Sequence, residues 1–261
     1  IARPTFLELA PIITADYIED ETTIGNKDLQ ISSVKNYDAR VEYFPAPGRM
    51  LAFSFFQKDI KDPIDKEPFG YLGQDYILAV NYDEGEVPGF EIEARSSFVI
   101  FHESLNNCSA GINFSKINAT VKVPNALNAN LSNYGLQDDE RAMEGQPEHL
   151  FNINLSYDNE HHGTSMGLFY NLRGEMLKAG ASVGTGNGGD EIATPSVFVS
   201  EVGILNFTLS QRLSEHWKLK FSAKNLLNPV VEEFYRDVNQ DITRRKYESG
   251  RSFSLGLSSS W

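Results

Sequence analysis

The sequence of 261 residues lacks the features that define several large classes of protein. Its single cysteine, Cys108, excludes an internal disulfide framework and a cysteine-rich metal site. Only 41% of the residues are hydrophobic, and no run of 18 apolar residues is present to form a membrane-spanning helix. The net charge of −13 argues against a nucleic-acid partner, because phosphate binding requires clustered Lys and Arg.

Arrangements of residues typical of catalysis or metal binding are also missing. No Ser/His/Asp or Cys/His set has a recognisable local context, so we expect neither an enzyme nor a cofactor. The adjacent His161 and His162 would point apart and make a poor chelate. Segment 237–241 begins like a calcium loop but lacks the turn glycine and the terminal glutamate, and the Gly-rich segment 184–190 neither repeats nor opens a helix. We predict no metal site.

What the sequence does contain is alternation between apolar and polar residues. Six windows alternate in this way: 36–43, 89–95, 109–115, 151–158, 205–210 and 217–224. A period of two predicts β-strands with one apolar and one polar face. The last stretch, 251–261, alternates Phe253, Leu255 and Leu257 with serine and glycine and ends on Trp261. A final aromatic residue is typical of a strand that ends at a membrane interface, so we predict the closing strand of an outer-membrane barrel.

The connections between these windows fall into two length classes. Short turns join the windows into pairs, at 45–48, 98–107, 158–163 and 213–216. Long polar stretches separate the pairs, at 59–84, 122–148, 174–195 and 229–246. Outer-membrane barrels have short periplasmic turns and long extracellular loops. We therefore predict an all-β, antiparallel transmembrane β-barrel fold with roughly nine strands and a partial one at the N-terminus.

One parity of the predicted strands is unusually polar. It carries Asp38, Arg40, Glu42, Glu91, Glu93, Arg95, Asn152, Asn154, Lys218, Lys220 and Lys224. Inside a soluble β-sandwich each buried charge would need a partner or be costly, whereas the wet lumen of a wide barrel removes that cost. We predict that these side chains face the lumen. The aromatic residues beside the short turns or at the terminus are predicted to form an interfacial girdle: Tyr43, Phe44, Tyr157, Trp217 and Trp261.

Several stretches, in order, resemble the C-terminal barrel of TonB-dependent outer-membrane receptors. They are ARPTFLELAP (2–11), GNKDL (25–29), NYDAR (36–40), FQKDIKDPI (56–64), GFEIEAR (89–95) and KNLLNP (224–229). The run GRSFSLGL (250–257) with Trp261 resembles the last strand of that family, although Ser259 stands where the family more often has an aromatic residue. The resemblance covers essentially the whole chain and implies a barrel of about 22 strands with a plugged lumen.

On this resemblance, residues 1–261 are the C-terminal part of the barrel, a little under half of its wall. The chain starts at Ile1 without a methionine or a signal peptide, so we expect a longer parent chain. The plug domain, the segment that engages TonB and the first half of the barrel would lie in that missing part. The barrel-assembly machinery would recognise the last strand through Phe253, Leu255, Leu257 and Trp261.

The resemblance further implies a receptor surrounded by outer-membrane lipid in a Gram-negative bacterium. It would take up a scarce nutrient with the help of TonB, such as a ferric siderophore, a cobalamin-like compound or an oligosaccharide. We expect ligand contacts from aromatic and cationic residues of the long loops: Tyr71, Tyr76, Tyr134, Phe234, Tyr235, Arg236, Arg244 and Arg245. Two alternatives stay open: a passive porin-type channel, whose parent chain would have no plug, and a soluble carbohydrate-binding β-sandwich.

Overall fold

A computed structural model of the chain describes residues 1–16, 21–71, 74–185, 189–236 and 240–259. In these residues the strands are β1 (Ile13–Asp16), β2 (Glu21–Ile24), β3 (Ser33–Tyr43), β4 (Met50–Lys61), β5 (Ile64–Tyr71), β6 (Gln74–Asn81), β7 (Glu84–Ser97), β8 (Cys108–Ile117), β9 (Thr120–Lys122), β10 (Glu140–Ala142), β11 (His149–Asn159), β12 (Thr164–Arg173), β13 (Met176–Ala179), β14 (Ser182–Thr185), β15 (Glu191–Thr194), β16 (Val197–Val199), β17 (Val202–Arg212), β18 (Trp217–Lys224), β19 (Val230–Tyr235), β20 (Ile242–Glu248) and β21 (Ser252–Ser259). The helical elements are α1 (Phe6–Leu9), α2 (Asn125–Ser132) and two short 3-10 turns, Phe98–Ile100 and Glu103–Leu105. Across the described ranges, no helix combines the length and the apolar character that crossing a membrane requires.

One antiparallel sheet of the described residues has eleven strands, of which β9 and β10 extend from the end of β7 and the other nine form what we name the wall. Its order is β3, β4, β7, β8, β11, β12, β17, β18 and β21. Each strand therefore pairs with the next long strand along the chain, as alternating strands joined by local connections should. The predicted all-β antiparallel fold is confirmed. The partial strand predicted at the N-terminus is reduced to a single antiparallel bridge between Ala2 and Ser32, immediately before β3.

The two ends of the wall differ in the connections they carry, as the spacing predicts. At one end, the short-turn end, residues 44–49, 98–107, 160–163 and 213–216 link neighbouring strands. At the other end, the long-connection end, the links are residues 62–83, 118–148, 174–201 and 225–251. These long links are not irregular loops. They contain β5, β6, β9, β10, β13–β16, β19, β20 and α2, which together with residues 1–16 and 21–24 we name the cap.

The strand register determines which side chains share a face of the wall. Arg40 lies opposite Ser54, Ser54 opposite Glu91, and Glu91 opposite Ser115. Because side chains alternate along every strand, following these rows across the sheet assigns each position to a face. All eleven residues predicted to face the lumen fall on one side, which we name the polar face. Whether this face lines a lumen stays a prediction.

The opposite side, the apolar face, carries large hydrophobic side chains. Phe90 packs between Phe53 and Phe114, with ring centroids 6.2 and 6.0 Å apart. Phe253, Leu255 and Leu257 lie on this face and are 58–71% exposed. A continuous apolar surface of this kind is costly in water and suited to lipid.

Aromatic residues mark the short-turn end of the wall. Tyr43, Phe44 and Trp217 are exposed beside the short turns, and Tyr157 lies on the apolar face near the same end. The predicted fifth member of the girdle, Trp261, lies outside the described residues.

The buried core belongs mainly to the cap. Val199, Val202 and Val231 form a buried cluster against Met176, and Tyr82, Val121 and Leu177 are each about 1% exposed. The cap contains the sheets β1-β2-β6-β5 and β13-β16-β19-β20 and the pair β14-β15. It therefore has its own hydrophobic packing at the long-connection end of the wall.

Candidate functional site

A candidate site is the cleft where the cap meets the polar face. Its volume is about 980 Å³, which is in the range of known ligand pockets. Charged and aromatic side chains in its lining are Lys66, Glu144, Arg173, Lys178, Glu233 and Tyr247. We name it the cap cleft.

The cap cleft is continuous with the wall. Arg173, Val202 and Ile204 line it and occupy polar-face positions at the long-connection ends of β12 and β17. The Arg173 guanidinium donates to the carbonyl of Ser200 at 3.2 Å, which fixes its position at the rim of the wall. The floor of the cleft is therefore the upper end of the polar face.

Glu233 is the centre of a buried charge cluster in this cleft. Its side chain is 2% exposed and lies within ion-pair distance of Lys178 at 3.1 Å, Arg244 at 3.0 Å and Arg245 at 3.0 Å. The Glu233 carboxylate is thus in contact with three cations. Because a buried carboxylate is unfavourable without such partners, these contacts hold β13, β19 and β20 together.

A β-bulge allows both arginines to reach Glu233. Consecutive residues of a regular strand point to opposite faces. In the β19–β20 pair the register shifts between Glu233 and Phe234, where Arg245 pairs with Glu233 but Thr243 pairs with Phe234. The unpaired extra residue is Arg244. Bulges redirect a side chain in this way, so Arg244 and Arg245 both donate to the same carboxylate.

A second buried charge cluster joins two of the long connections. The Arg141 guanidinium lies 3.1 Å from the Asp65 carboxylate, and their side chains are only 10% and 7% exposed. The same guanidinium donates to the Tyr82 hydroxyl at 2.7 Å. Arg141 thereby ties the connection 118–148 to the connection 62–83, in surroundings where an unpaired charge would be strongly destabilising.

Acidic groups in and beside this second cluster have raised pKa values. Burial raises the pKa of Glu144 to about 7, although Lys66 at 3.3 Å opposes that shift. Burial also raises the pKa of Asp65 and of Glu67, against the opposing effects of Arg141 and of a hydrogen bond from Tyr82. Glu144 Oε2 is buried and accepts no hydrogen bond from the described residues. The charge of Glu144 is therefore sensitive to pH near neutrality.

Arg236 connects a third pair of cap elements. Its guanidinium stacks over the ring of Phe198 at 4.1 Å and lies 5.3 Å from that of Phe234. Two further bonds of 2.9 Å reach the two carboxylate oxygens of Glu175. This combination of stacking and a two-point ion pair is specific to arginine, and it joins residues of the connections 174–201 and 225–251.

The residues predicted to contact a ligand all belong to the cap. Phe234 is buried, Arg236, Arg244 and Arg245 pair with cap carboxylates, and the Tyr134 hydroxyl donates to Glu191 at 3.0 Å. Tyr76 and Tyr235 are half-buried. The side chain of Tyr71 lies outside the described residues. Residues 186–188 of the Gly-rich segment and 237–239 of the segment that resembles a calcium loop also lie outside them. Ligand contact by these residues stays a prediction.

Sequence reasoning missed the buried groups that organise the cap. Asp65, Arg141, Glu144 and Lys178 come from three long connections and form no local pattern. Glu233 had one signal: in the run VVEEFY (230–235), two consecutive acids in a strand must point to opposite faces, so one points inward. Among the described residues, no group of three or more His, Cys, Asp or Glu is placed to hold a metal ion.

The polar face of the wall has its own charge pairs. Arg40 donates to Glu42 at 2.6 Å, to Glu93 at 3.0 Å and to Ser54 at 2.9 Å. Arg95 pairs with Glu93 at 2.8 Å. These cross-strand contacts form a ladder over β3, β4 and β7, which we name the arginine–glutamate ladder.

Comparison with known proteins gives one family and a set of similar folds. The model of the family described as "TonB dependent receptor-like, beta-barrel" matches residues 2–226. No curated protein sequence matches the chain.

Solved structures similar to this chain include three bacterial receptors. The ferric-catecholate import receptor Fiu of E. coli K12 has a TM-score of 0.55 and 15% identity, over 90% of this chain and 28% of that one. A mutant of the ferric enterobactin receptor PfeA of Pseudomonas aeruginosa has a TM-score of 0.59 and 16% identity, over 98% and 36%. The ferric yersiniabactin uptake receptor FyuA of Yersinia pestis has a TM-score of 0.54 and 13% identity, over 92% of this chain and 30% of that one. The chain thus spans about a third of their length, and identities this low concern the fold alone.

Proposed function

This chain belongs to the TonB-dependent receptor β-barrel family, and from that premise we propose that it is part of the wall of an outer-membrane receptor that imports a ferric siderophore in a Gram-negative bacterium. Members of this family are transport receptors rather than enzymes, in agreement with the expectation that the chain is not an enzyme. The siderophore is favoured over a cobalamin-like compound or an oligosaccharide because the three similar structures are described as receptors for ferric catecholate, ferric enterobactin and ferric yersiniabactin.

The observation that carries the proposal is the separation of the two faces over nine consecutive strands. One face presents mainly Phe, Leu, Ile and Tyr side chains that suit lipid, and the other carries most of the charged and amide side chains, which suit water. On the polar face Arg40 and Arg95 remain 38% and 62% exposed, which does not fit the dry core of a β-sandwich. This exposure argues against the soluble β-sandwich alternative.

The cap cleft is the proposed entry site for the ligand. It lies at the long-connection end, which is extracellular in this reading, and it leads directly to the polar face through Arg173 and Ile204. Arg173, Lys66 and Lys178 contribute positive charge to the lining of the cleft. Burying an anionic or metal-chelating ligand there would be favoured by this charge and by the aromatic ring of Tyr247.

The remaining parts of the transport machinery are assigned to residues outside this chain. We propose that residues 1–261 are the C-terminal part of the receptor and that a plug domain, the TonB-contacting segment and further wall strands belong to the rest. Outer-membrane lipid would surround the apolar face, and the barrel-assembly machinery would read Phe253, Leu255, Leu257 and Trp261. We propose no nucleic-acid partner, because the net charge of the chain is −13 and phosphate binding requires clustered cations.

Uptake by cells tests this function. A strain that lacks the receptor gene, and the same strain carrying it, would be given radiolabelled ferric catecholate, ferric hydroxamate, cobalamin and oligosaccharide, with and without TonB. We expect uptake of one ferric siderophore that needs both the receptor and TonB. Uptake that persists without TonB would support a passive channel instead. TonB-dependent uptake of cobalamin or oligosaccharide would contradict the siderophore assignment and still support a transport receptor. Recovery of the protein in the soluble fraction would contradict the proposal altogether.

A further inference from the structure

A hollow lies at the short-turn end of the wall, at the turn between β3 and β4. Its volume is about 480 Å³, and it is lined by Phe44, residues 46–50 and Arg95. We name it the turn hollow. It contains two arginines, Arg49 and Arg95, and its lining includes no Asp or Glu among the described residues. The turn hollow is therefore a cationic site at the end of the wall opposite to the cap cleft.

Arg49 is a cation without a partner among the described residues. Its Nε is buried and donates no hydrogen bond to them, and the rest of its guanidinium forms neither an ion pair nor a hydrogen bond with them. The Arg49 amide donates to the carbonyl of Ala46 at 3.0 Å, which closes the turn and fixes the base of the side chain. A buried N–H without an acceptor is unfavourable, so an acceptor from outside the chain would stabilise this arginine.

Arg95 brings a second guanidinium to the same hollow. It lies opposite Met50, the residue that follows Arg49. Its Nε and Nη2 approach one oxygen of Glu93 at 2.9 and 2.8 Å, and the side chain is still 62% exposed. Its Nη1 makes no hydrogen bond with the described residues. Two guanidinium groups with unused N–H donors therefore border the turn hollow.

The rim of the turn hollow is continuous with the apolar face. Tyr43 and Leu51 pair with each other on that face and are 64% and 52% exposed. They adjoin the hollow residues Phe44 and Met50 in the chain, and Phe44 is itself 62% exposed. Exposed aromatic side chains at a membrane interface lie at the level of the lipid headgroups. This arrangement suits an amphiphile with an anionic head in the hollow and an apolar tail on the wall.

A phosphodiester is the anionic head that best matches these donors. A guanidinium binds a phosphate through two parallel N–H bonds, and Arg49 has its Nε and its Nη groups available for such a fork. Basic pockets at membrane interfaces recognise anionic phospholipid headgroups through contacts of this kind. A free phosphate ion would use the two arginines but would gain nothing from the exposed Tyr43, Phe44 and Leu51.

We propose that the turn hollow binds the phosphodiester headgroup of one anionic glycerophospholipid in the periplasmic leaflet of the outer membrane. Arg49 holds the phosphate through Nε and one Nη group, Arg95 donates to the second free oxygen, and the acyl chains lie along the apolar face beside Leu51. The inference rests on the proposed function in one respect, because it takes the short-turn end to be periplasmic and the apolar face to contact lipid.

Lipid binding to the full receptor in detergent tests this proposal. Native mass spectrometry counts the phospholipids that stay bound during a titration with phosphatidylglycerol, or with phosphatidylcholine of the same acyl chains. We expect one phosphatidylglycerol to bind more tightly than any further lipid, and phosphatidylcholine to bind several-fold more weakly. Inorganic phosphate at millimolar concentration should leave the bound lipid in place, because it lacks the acyl chains.

Variants of Arg49 locate the site. R49Q removes the unpaired guanidinium and should weaken the tight site about tenfold, the effect of one lost charge-assisted hydrogen bond. R49K keeps the charge without the fork, so its affinity should lie between those of R49Q and the natural protein. K218Q is the matched control, because Lys218 is an exposed cation near the same end of the wall, on β18, and it should bind lipid like the natural protein. Heat-modifiable migration in a gel checks that each variant is folded.

Four outcomes would overturn the proposal. Phosphatidylglycerol could bind equally tightly to R49Q and the natural protein, or R49K could bind as tightly as the natural protein. An equal loss in K218Q and R49Q would show only a general attraction between anionic lipid and this end of the wall. Displacement of the lipid by inorganic phosphate would show a site for the free ion.

Siderophore uptake is measured separately in cells, so the two proposals can fail independently. A tight lipid site that is lost in R49Q, in a receptor without TonB-dependent uptake, would contradict only the proposed function. TonB-dependent uptake by a receptor whose lipid binding is unchanged in R49Q would contradict only the lipid site.

Discussion

The carboxylate of Glu144 lies 3.3 Å from Nζ of Lys66, and only 12% of the glutamate side chain is exposed. The two residues belong to different long connections. Next to Glu144, the amide of Gly145 donates to the carbonyl of Leu177 at 2.9 Å, so a third connection meets the same point. The protonation state of the Glu144 carboxyl group is therefore coupled to the packing of three long connections of the cap.

The first prediction concerns pH. Burial raises the pKa of Glu144 from 4.5 to about 7, so between these values the folded cap holds a proton that the unfolded chain has lost. Stability from this group is fully present below pH 4.5 and decreases as the pH rises through 7, by at most about 3 kcal/mol. E144Q keeps the neutral form at every pH and should remove this loss.

Hydrogen exchange at the Gly145 amide checks this prediction. Protection in the natural protein should fall between pH 5.5 and 8, whereas protection in E144Q should stay constant after correction for intrinsic exchange. E84Q, which alters the exposed partner of Lys122, is the control and should behave like the natural protein. An equal loss of protection in E144Q and the natural protein would show that Glu144 is not the titrating group.

The second prediction concerns Glu233. In E233Q the charges of Lys178, Arg244 and Arg245 lose their common carboxylate in a buried site, which should destabilise the cap by about 3–5 kcal/mol. E232Q is the matched control, because Glu232 is partly exposed and pairs with Lys246 on the other side of the same strand. Its effect should stay below about 1 kcal/mol.

Limited proteolysis of the receptor in outer membranes distinguishes these two variants. We expect rapid cleavage within 174–201 and 225–251 in E233Q and slow cleavage in E232Q. R244A and R245A should each have a smaller effect than E233Q, because two cations still accompany the carboxylate. Should R244A abolish siderophore binding while the cap stays resistant to protease, Arg244 would be a ligand contact, as the sequence predicts, rather than a support for Glu233.

The wall could be predicted from sequence because its information is local. Alternation along windows such as 36–43 determines both the strand and its two faces, and the register then brings Arg40, Glu93 and their neighbours to one side. Turn lengths supplied the topology, because a strand followed by a short turn pairs with the next strand.

The cap could not be predicted in the same way. Its strands are often three or four residues long and do not alternate, and their pairing depends on distant residues, as in the parallel contact of Thr23 with Ile77. The bulge at Glu233 adds a residue that no periodic pattern indicates. Packing between connections, rather than local preference, decides these elements.

The third prediction concerns the motif KNLLNP (224–229). Its two asparagines, Asn225 and Asn228, have positive φ angles of 56° and 48°, a conformation that asparagine tolerates better than most residues. The Asn225 side chain also donates to the carbonyl of Gly250 at 2.7 Å, which joins the end of β18 to the start of β21. N225A loses both the tolerated backbone and this bond, whereas N225G loses the bond alone.

We therefore expect stability to decrease from the natural protein to N225G and further to N225A, with the last step worth about 1 kcal/mol. Heat-modifiable migration of the folded receptor in a gel, measured over a temperature series, gives the midpoint for each variant. If N225A were as stable as N225G, the backbone angle would not be the reason for asparagine at this position.

The fourth prediction compares two glycines in short turns. Gly163 and Gly48 have positive φ angles of 63° and 72°, so alanine is strained at both. A Cβ on Gly163 would also lie 2.5 Å from Cβ of Arg212, whereas one on Gly48 would meet no atom within 4 Å. G163A must therefore displace Arg212 from the carbonyls that hold the turn 160–163, and G48A need not move any neighbour. The same gel assay should give a lower midpoint for G163A than for G48A, and equal midpoints would mean that Arg212 does not support the turn.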